Sequence, residues 1–267
     1  MDMDLLDFVM STVFPLEGES EGKSIVCGIA GAPGSGKSTL TQDIQRVLKA
    51  QKRRCVIFSL DDYYVCRAER LKLAQGVHSL LGVRGVPGTH ELPLLFEHVE
   101  AELEGRVYAK PKFDKLKDDR VGTTRVTGQR PEVILVEGWC LGVLVQPESS
   151  LVIARNTMEA EEDADCLWRR YVNEQIDGYE KYWNRFHSSV YLKSPSFETV
   201  VGWRLEQEKS NVMADAAAPS SGMDRNQVTR FLLHYQRIIE WMNQNAETFF
   251  THVLALDFQR KLILPGK

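Results

Sequence analysis

The sequence is poor in cysteine, and no two of its cysteines are spaced as a metal-binding or redox pair. Five cysteines are scattered over 267 residues, and no C-x-x-C motif occurs. An odd, scattered set is typical of free thiols in a reducing compartment and argues against a disulfide framework or a zinc site. The opening residues MDMDLLDFVM carry acids where secretory and transit peptides carry bases, so we expect a cytoplasmic protein.

Long hydrophobic runs and an excess of positive charge are also missing. The apolar runs Val133–Val136 and Cys140–Val145 are far shorter than the roughly 20 residues that a membrane-spanning helix needs. The 33 Lys and Arg residues are outnumbered by 37 Asp and Glu residues, whereas proteins that coat nucleic acids concentrate positive charge. We therefore expect a globular protein with no membrane span and no nucleic-acid partner.

Short apolar runs alternate with helical patterns along the chain. Ser24–Ala30 predicts a strand buried on both faces, and Lys37–Ala50 places its apolar residues at helical spacing. Strands that alternate with helices predict an α/β fold with a mostly parallel sheet. The remaining predicted elements are the strands Cys55–Leu60, Val133–Val136, Ser189–Leu192 and Val253–Leu256, and the helix Arg225–Gln244.

Several segments stand apart from this alternation. Residues 1–23 contain a short amphipathic stretch, which predicts an N-terminal helix packed on the body of the protein. About 70 residues separate the second and third predicted strands, and a connection of that length is usually functional. Residues 213–222 (MADAAAPSSG) are predicted to be a mobile loop. Asn156 and the acidic run Glu159–Asp165 predict the capped, solvated start of a helix.

A phosphate-binding motif occupies the turn between the first predicted strand and helix. Gly31–Ser38 reads GAPGSGKS and satisfies G-x-x-x-x-G-K-[ST]. Such a loop turns backbone N–H groups toward phosphate oxygens, while Lys37 reaches the outer phosphates and the Ser38 hydroxyl is available to Mg²⁺. A dinucleotide fingerprint fits less well, because Thr39 stands where that motif has glycine. We predict nucleoside triphosphate binding by nine residues: Gly31, Ala32, Pro33, Gly34, Ser35, Gly36, Lys37, Ser38 and Thr39.

Carboxylates follow two of the predicted strands. Asp61 and Asp62 come directly after CVIFSL, at the strand end where open α/β sheets place their chemistry. Phosphoryl transfer to an alcohol needs a carboxylate that orients the hydroxyl and accepts its proton, and two adjacent acids can divide that work. An Asx-turn is the structural alternative for this pair. Glu137 follows VILV in the same way and is a candidate for the Mg²⁺ shell.

These motifs together resemble the phosphoribulokinase/uridine kinase group of P-loop kinases. The resemblance rests on Gly31–Thr39, on SLDDYY at Ser59–Tyr64 and on VEGW at Val136–Trp139. Within the group, the chain is similar to the D-glycerate 3-kinases and related glycerate-kinase-like proteins. The further motifs, in order, are RGVPGTHE (Arg84–Glu91), PKFDK (Pro111–Lys115), VNEQIDGYEKYW (Val172–Trp183) and GWRLEQE (Gly202–Glu208).

The resemblance implies a three-layer αβα fold with a five-stranded parallel core. After an N-terminal extension (1–23), residues 24–267 would form the kinase domain, with an acceptor-binding insert at about 63–130 and a lid at about 202–224. The resemblance also implies ATP as donor, Mg²⁺ as cofactor and D-glycerate, a small anionic alcohol, as acceptor.

The resemblance also assigns roles to single residues. Asp61 matches the group's catalytic aspartate, and Glu137 matches its acid after the third motif strand, so Ser38 and Glu137 are the candidate metal ligands. Lys37 and Arg204 are further catalytic candidates, since an arginine beside a lid would neutralise transition-state charge. The candidate acceptor residues are Asp62, Tyr64, Arg84, His90 and Lys115, of which the arginine would bind a carboxylate bidentately.

The identity of the acceptor stays open on the residues alone. Pantothenate, a nucleoside or a sugar phosphate would use the same chemistry, although residues 82–115 offer few stacking aromatics for a nucleoside and little base for a second phosphate. A non-catalytic ATP-binding regulatory protein is the third hypothesis, and the pair Asp61–Asp62 argues against it. Two departures from the group concern the substrate: no second arginine follows Glu208, and Phe113 stands where tyrosine is common. No oligomeric state is predicted.

Overall fold

A five-stranded sheet forms the centre of the protein. The structure, a computed structural model, describes residues 4–14, 24–214 and 222–263. Within them the sheet has the strand order β2-β5-β1-β6-β7, and every neighbouring pair is parallel. A separate antiparallel hairpin is formed by β3 and β4. The strands are β1 (Ile25–Gly31), β2 (Cys55–Ser59), β3 (Val107–Asp114), β4 (Asp119–Thr127), β5 (Val133–Gly138), β6 (Ser188–Lys193) and β7 (His252–Ala255).

Helices cover the sheet and complete the predicted three-layer α/β fold. All six residues of the inner strand β5 are buried, which explains why its sequence is a continuous apolar run and does not alternate. The helices are α1 (Leu5–Val13), α2 (Lys37–Ala50), α3 (Arg67–Gly76), α4 (Leu92–Glu104), α5 (Glu148–Leu151), α6 (Thr157–Glu162), α7 (Leu167–Asp177), α8 (Glu180–Trp183), α9 (Phe197–Ala214) and α10 (Arg225–Phe249), with 3₁₀ turns at Leu60–Tyr63 and Ser79–Gly82.

The N-terminal helix forms as predicted. Val9 of α1 is completely buried, and α1 packs against α2. Residues 15–23, and most of the loop predicted at 213–222, lie outside the described residues. Among the helices that the structure describes, none is long and apolar enough to cross a membrane, and all five cysteines are free.

The long connection between β2 and β5 contains more regular structure than the sequence indicated. It forms α3, α4 and the β3–β4 hairpin. The hairpin strands contain many charged residues and β4 is largely exposed, so neither strand shows the apolar alternation that predicts a half-buried strand. Its turn is closed by Asp114, whose carboxylate accepts the backbone N–H groups of Leu116 (2.9 Å) and Lys117 (3.2 Å). The hairpin thus places residues 115–118 beside the end of β2.

The prediction that the acidic run Glu159–Asp165 is solvated is wrong for two of its members. Asn156 caps α6 as predicted, accepting the Glu159 N–H at 3.0 Å. Glu159 and Asp163, however, are completely buried. Arg237 of α10 binds the Glu159 carboxylate at 2.8 and 2.6 Å, and Arg169 of α7 lies 3.3 Å from Asp163. Arg237 lies 78 residues after Glu159, so the local sequence does not reveal that pairing, whereas Arg169 follows Asp163 by only six residues.

Candidate active site

The loop after β1 has the backbone geometry of a phosphate-binding loop. Gly34 and Gly36 adopt left-handed conformations, with φ values of 77° and 93°. A Cβ on Gly34 would lie 2.9 Å from backbone and side-chain atoms of Trp203, so this position has room only for glycine. Lys37, the first residue of α2, folds back over the loop and donates from Nζ to the Ala32 carbonyl at 3.0 Å.

A cavity of about 490 Å³ opens beside this loop. Its P-loop side contains six of the residues predicted to bind the triphosphate: Pro33, Gly34, Gly36, Lys37, Ser38 and Thr39. Its Asp61 side contains four predicted residues, Asp61, Tyr64, Arg84 and Lys115, and the cavity is also lined by Glu137 and Arg204. Residues from the P-loop and the start of α2, the end of β5, the long connection, α9 and α10 therefore meet around one space.

Asp61 is held by two donors. The Tyr64 hydroxyl donates to Oδ1 at 2.5 Å, and Lys115 Nζ on the hairpin turn lies 2.5 Å from Oδ2. Burial alone would raise the pKa of Asp61, but the Lys115 charge, these two hydrogen bonds and the nearby Lys37 lower it to about 2. The carboxylate is therefore ionised at neutral pH.

Glu137, Ser38 and Lys37 form a second polar group at the end of β5. The Ser38 hydroxyl donates to Glu137 Oε1 at 3.3 Å. Burial raises the pKa of Glu137 and lowers the pKa of Lys37, and the charge of each group opposes the shift of the other. A hydroxyl beside a carboxylate is a set of hard oxygen donors, which is the chemistry that Mg²⁺ prefers.

Two candidate acceptor residues do not line the cavity. Asp62 points away from it and pairs with Lys110 of β3 at 2.9 Å. His90 is 6% exposed and packs behind Tyr64, with the ring centroids 4.9 Å apart. Neither of its ring nitrogens has a hydrogen-bond partner among the described residues. Burial lowers the pKa of His90 to about 4, so the ring is neutral at pH 7.

Arg204, the catalytic candidate beside the predicted lid, lies on α9 and lines the cavity. Its guanidinium pairs with Glu208 one turn later and bonds Gln207 Oε1 at 3.2 Å. The lid segment itself lies partly outside the described residues, and within its described part no second arginine lines the cavity.

The sequence did not single out Arg260, which lies in the loop after β7. Its Nε donates to the Gly34 carbonyl at 2.7 Å, and its Nη2 lies 2.8 Å from Glu206 of α9. The guanidinium also covers the Trp203 ring, 5.2 Å from its centroid. No motif surrounds this arginine in the sequence, and only the return of the chain beside the P-loop brings it to the cavity.

Tyr235 and Trp139 also line the cavity without having been predicted as site residues. The Tyr235 hydroxyl donates to the Arg84 carbonyl at 2.8 Å, and Trp139 Nε1 donates to the Gly85 carbonyl at 2.7 Å. A Cβ on Gly85, where φ is 116°, would collide with the Tyr235 hydroxyl. The VEGW motif contained the signal for Trp139, whereas Tyr235 is one apolar position among many in α10.

Comparisons with known proteins relate this chain to kinases. No family model matches the chain. An uncharacterized kinase of Schizosaccharomyces pombe, mug58, is 31% identical over 229 residues, which cover 80% of this chain and 79% of that protein. The chloroplastic D-glycerate 3-kinase of Arabidopsis thaliana is 27% identical over 227 residues, which cover 79% of this chain and 46% of the plant enzyme. Both relatives are described as kinases.

A solved structure agrees with these relatives at the level of the fold. The D-glycerate 3-kinase from Cryptococcus neoformans matches with a TM-score of 0.76 and 24% identity. The match covers 97% of this chain and 94% of that one. At this level of identity, the likeness shows that the two chains share a fold.

Proposed function

The chain belongs to the phosphoribulokinase/uridine kinase group of ATP-dependent P-loop kinases, and from this premise we propose that it transfers the γ-phosphoryl group of ATP to a hydroxyl of D-glycerate. The observation that carries the proposal is the position of Asp61. Its ionised carboxylate lies in the same cavity as the P-loop and beside two cations, Arg84 and Lys115. A base for the hydroxyl and a binding group for the carboxylate are thus available together.

On the P-loop side, the triphosphate would lie against the backbone N–H groups of the loop and the N-terminus of α2. Lys37 would exchange its contact with the Ala32 carbonyl for the outer phosphates. Ser38 and Glu137 fit the requirements of Mg²⁺ and would hold it directly or through its waters. When bound, the ion supplies positive charge that neutralises the phosphate oxygens.

On the Asp61 side, the carboxylate would accept a hydrogen bond from the reacting hydroxyl and take its proton during transfer. Tyr64 and Lys115 fix the carboxylate and keep it ionised. Arg84 would bind the carboxylate of the acceptor, because its planar fork matches that group. Behind the cavity wall, His90 packs on Tyr64 and would help to hold it, while Asp62 pairs with Lys110 away from the acceptor.

The two flanking segments would complete the site. The insert at about 63–130 supplies Arg84 and, on the hairpin turn, Lys115. Arg204, on the described part of the segment at about 202–224, would neutralise charge on the transferred group and help exclude water. The free thiols fit the cytoplasmic location that we propose from the sequence.

The charges on the Asp61 side favour a monocarboxylate over other acceptors. Lys115 is paired one to one with Asp61, whereas Arg84 shares the Asp118 carboxylate with the buried Arg70, which leaves Arg84 as the main binding group for an anion. A phosphate ester carries about two negative charges and would call for more cations. The aromatic rings beside Arg84, Tyr64 and Phe113, pack against its guanidinium and against each other, so they offer no open slot for a nucleobase.

An ADP-release assay with ATP, Mg²⁺ and a panel of acceptors tests the proposal. The panel contains D-glycerate, L-glycerate, pantothenate, uridine and ribulose 5-phosphate. We expect D-glycerate to stimulate ADP release and Asp61→Asn to lower kcat by about 10²–10⁴-fold, the usual contribution of a general base. ATP binding, measured by calorimetry, should be retained.

Asp62→Asn is the matched control, because it removes the same charge from the neighbouring residue without touching the cavity. Its kcat should stay near that of the wild type. Stimulation by another acceptor alone would replace D-glycerate and keep the kinase reaction. Full activity of Asp61→Asn would remove Asp61 from the role of base.

A further inference from the structure

The turn of the β3–β4 hairpin carries a carboxylate, Asp118, that binds two arginines at once. Arg70 Nη2 lies 3.0 Å from Oδ2, and Arg84 Nη1 bonds Oδ1. Arg70 is completely buried, whereas Arg84 lines the Asp61 side of the cavity. A single carboxylate therefore connects a fixed, buried arginine with the arginine that faces the candidate acceptor site.

The backbone of Arg84 is fixed independently of this contact. Its carbonyl accepts the Tyr235 hydroxyl of α10, and the next carbonyl, that of Gly85, accepts the Trp139 indole N–H. The guanidinium lies 6.0 Å from the Tyr64 ring centroid and 5.6 Å from that of Phe113. These rings limit its position, but only Asp118 provides a directional partner among the described residues.

Arg70 explains why Asp118 can hold Arg84 without cancelling its charge. Its guanidinium donates to the Asp118 carbonyl at 2.5 Å and to the Gly82 carbonyl at 3.1 Å, so the buried side chain anchors the turn. One carboxylate shared by two arginines leaves one net positive charge in the group. Because Arg70 is buried and cannot reach the cavity, that charge is available to an anion at Arg84.

The backbone of Asp118 also indicates a constrained position. Its φ is 53°, in the left-handed region that residues other than glycine, asparagine and aspartate rarely adopt. Glycine would fit the turn without a carboxylate.

We propose that Asp118 is a positioning residue that orients the Arg84 guanidinium toward the carboxylate of the acceptor. This inference rests on the proposed function and names a residue that the family motifs do not include. Bidentate binding requires the guanidinium to lie in the plane of the carboxylate. A free arginine would lose side-chain entropy on adopting that orientation, and Asp118 removes this cost before the acceptor binds.

The variant Asp118→Asn tests the proposal, because asparagine keeps the left-handed backbone and loses the charge. We expect the KM for D-glycerate to rise about tenfold, with kcat and the KM for ATP within about twofold of the wild type. Asp119→Asn is the matched control. It removes the adjacent charge, but among the described residues the Asp119 carboxylate binds the backbone N–H groups of Arg67 and Arg120 and not the Arg84 side chain.

A double-mutant cycle with Arg84→Ala separates positioning from a general structural role. If Asp118 acts through Arg84, the KM effect of Asp118→Asn should disappear in the Arg84→Ala background. Additive effects, or an equal loss in kcat, would overturn the proposal while leaving the glycerate kinase reaction intact.

A measurement without substrate keeps the test independent of the acceptor. The ¹⁵Nε order parameter of Arg84, measured by NMR relaxation, should be high in the wild type and in Asp119→Asn and should fall in Asp118→Asn. An unchanged order parameter would contradict the proposal. If D-glycerate is not phosphorylated, the proposed function fails, and this measurement still decides whether Asp118 orders Arg84.

Discussion

The two sides of the cavity are built in different ways. The P-loop side comes from one unbroken stretch of nine residues, and its predicted contacts to the triphosphate are mostly backbone N–H groups. The Asp61 side is built from side chains of the long connection, from the turn after β2 to the hairpin turn, and from α10. Each of its charged groups is paired before any substrate binds: Asp61 with Lys115, and Arg84 with Asp118.

This difference separates triphosphate binding, which is general, from acceptor recognition, which is specific. A backbone loop binds any triphosphate and depends little on the side chains between its glycines. A set of paired charges depends on where each partner is held, so a change in the hairpin or in α10 alters the acceptor site without altering the loop. We therefore expect substitutions on the P-loop side to affect every reaction of the enzyme, and those on the Asp61 side to depend on the acceptor.

On the P-loop side, the largest expected effect is that of Lys37→Ala. Removing this charge from the outer phosphates should lower kcat by about 10³-fold, comparable to the loss of one donor to a developing oxyanion. The loss should be equal for every acceptor and for basal ATP hydrolysis, since the lysine belongs to the P-loop side. Rapid-quench measurements with each acceptor would show this.

Two variants test whether the effect of Lys37→Ala belongs to the P-loop side alone. Lys49→Ala, at the exposed end of the same helix, controls for charge removal and should be neutral. Lys115→Ala should impair acceptor-dependent turnover and spare basal hydrolysis. A loss with Lys37→Ala that differs among acceptors would contradict the proposed separation of the two sides.

The same difference explains how much of the site could be predicted. The strand, loop and helix around Lys37 are local in sequence, and the strand-end acids Asp61 and Glu137 follow from where parallel strands end. Arg260 and Asp118 could not be found, because their partners are more than 30 residues away and neither lies in a motif. The buried pair of Glu159 and Arg237 was missed for the same reason.

The fold was predicted more completely than the insert. The five parallel strands were predicted because buried strands are continuous apolar runs. The hairpin was not, since its strands are rich in charged residues, β4 is largely exposed, and neither strand shows a clear apolar alternation. Asp62 and His90 were predicted as acceptor residues, and the structure places both of them behind the wall of the cavity.

Arg260→Ala should have a smaller effect, which should be confined to the KM for ATP. Its hydrogen bond to the Gly34 carbonyl supports the P-loop from outside the motif, so we expect the KM for ATP to rise about tenfold. The KM for D-glycerate should change by less than about twofold, because distant sites act independently. Steady-state kinetics with each substrate varied in turn would measure both.

Two further variants identify which contact of Arg260 matters. Arg225→Ala removes another arginine that pairs with a glutamate of α9, Glu198, and it should leave both KM values unchanged. Glu206→Gln breaks the ion pair of Arg260 and keeps its bond to Gly34, so it should have the weaker effect of the two. A rise in the KM for D-glycerate in Arg260→Ala would contradict the independence of the two sides.

The smallest expected effect is on stability and concerns the Asp61 side. His90 has a pKa of about 4 in the folded protein, whereas an unfolded histidine has a pKa of about 6.5. Between these values the unfolded chain binds more protons, so acidification favours unfolding. Lowering the pH from about 6.5 to about 5.5 should reduce the free energy of unfolding by about 1 kcal/mol through His90 alone. Asp61, with a pKa of about 2, stays ionised throughout this range.

The variant His90→Phe isolates this contribution, because phenylalanine can keep the packing on Tyr64 without a titrating group. Urea unfolding of the two proteins at several pH values should show a shallower pH dependence for the variant. His234→Phe is the matched comparison, since burial also lowers the pKa of His234 to about 4 but this histidine packs on Trp168 outside the cavity. Equal slopes for the wild type and His90→Phe would mean that His90 gains a proton or a partner in solution. His90 would then be accessible from the cavity and would have to be counted among the residues of the acceptor site.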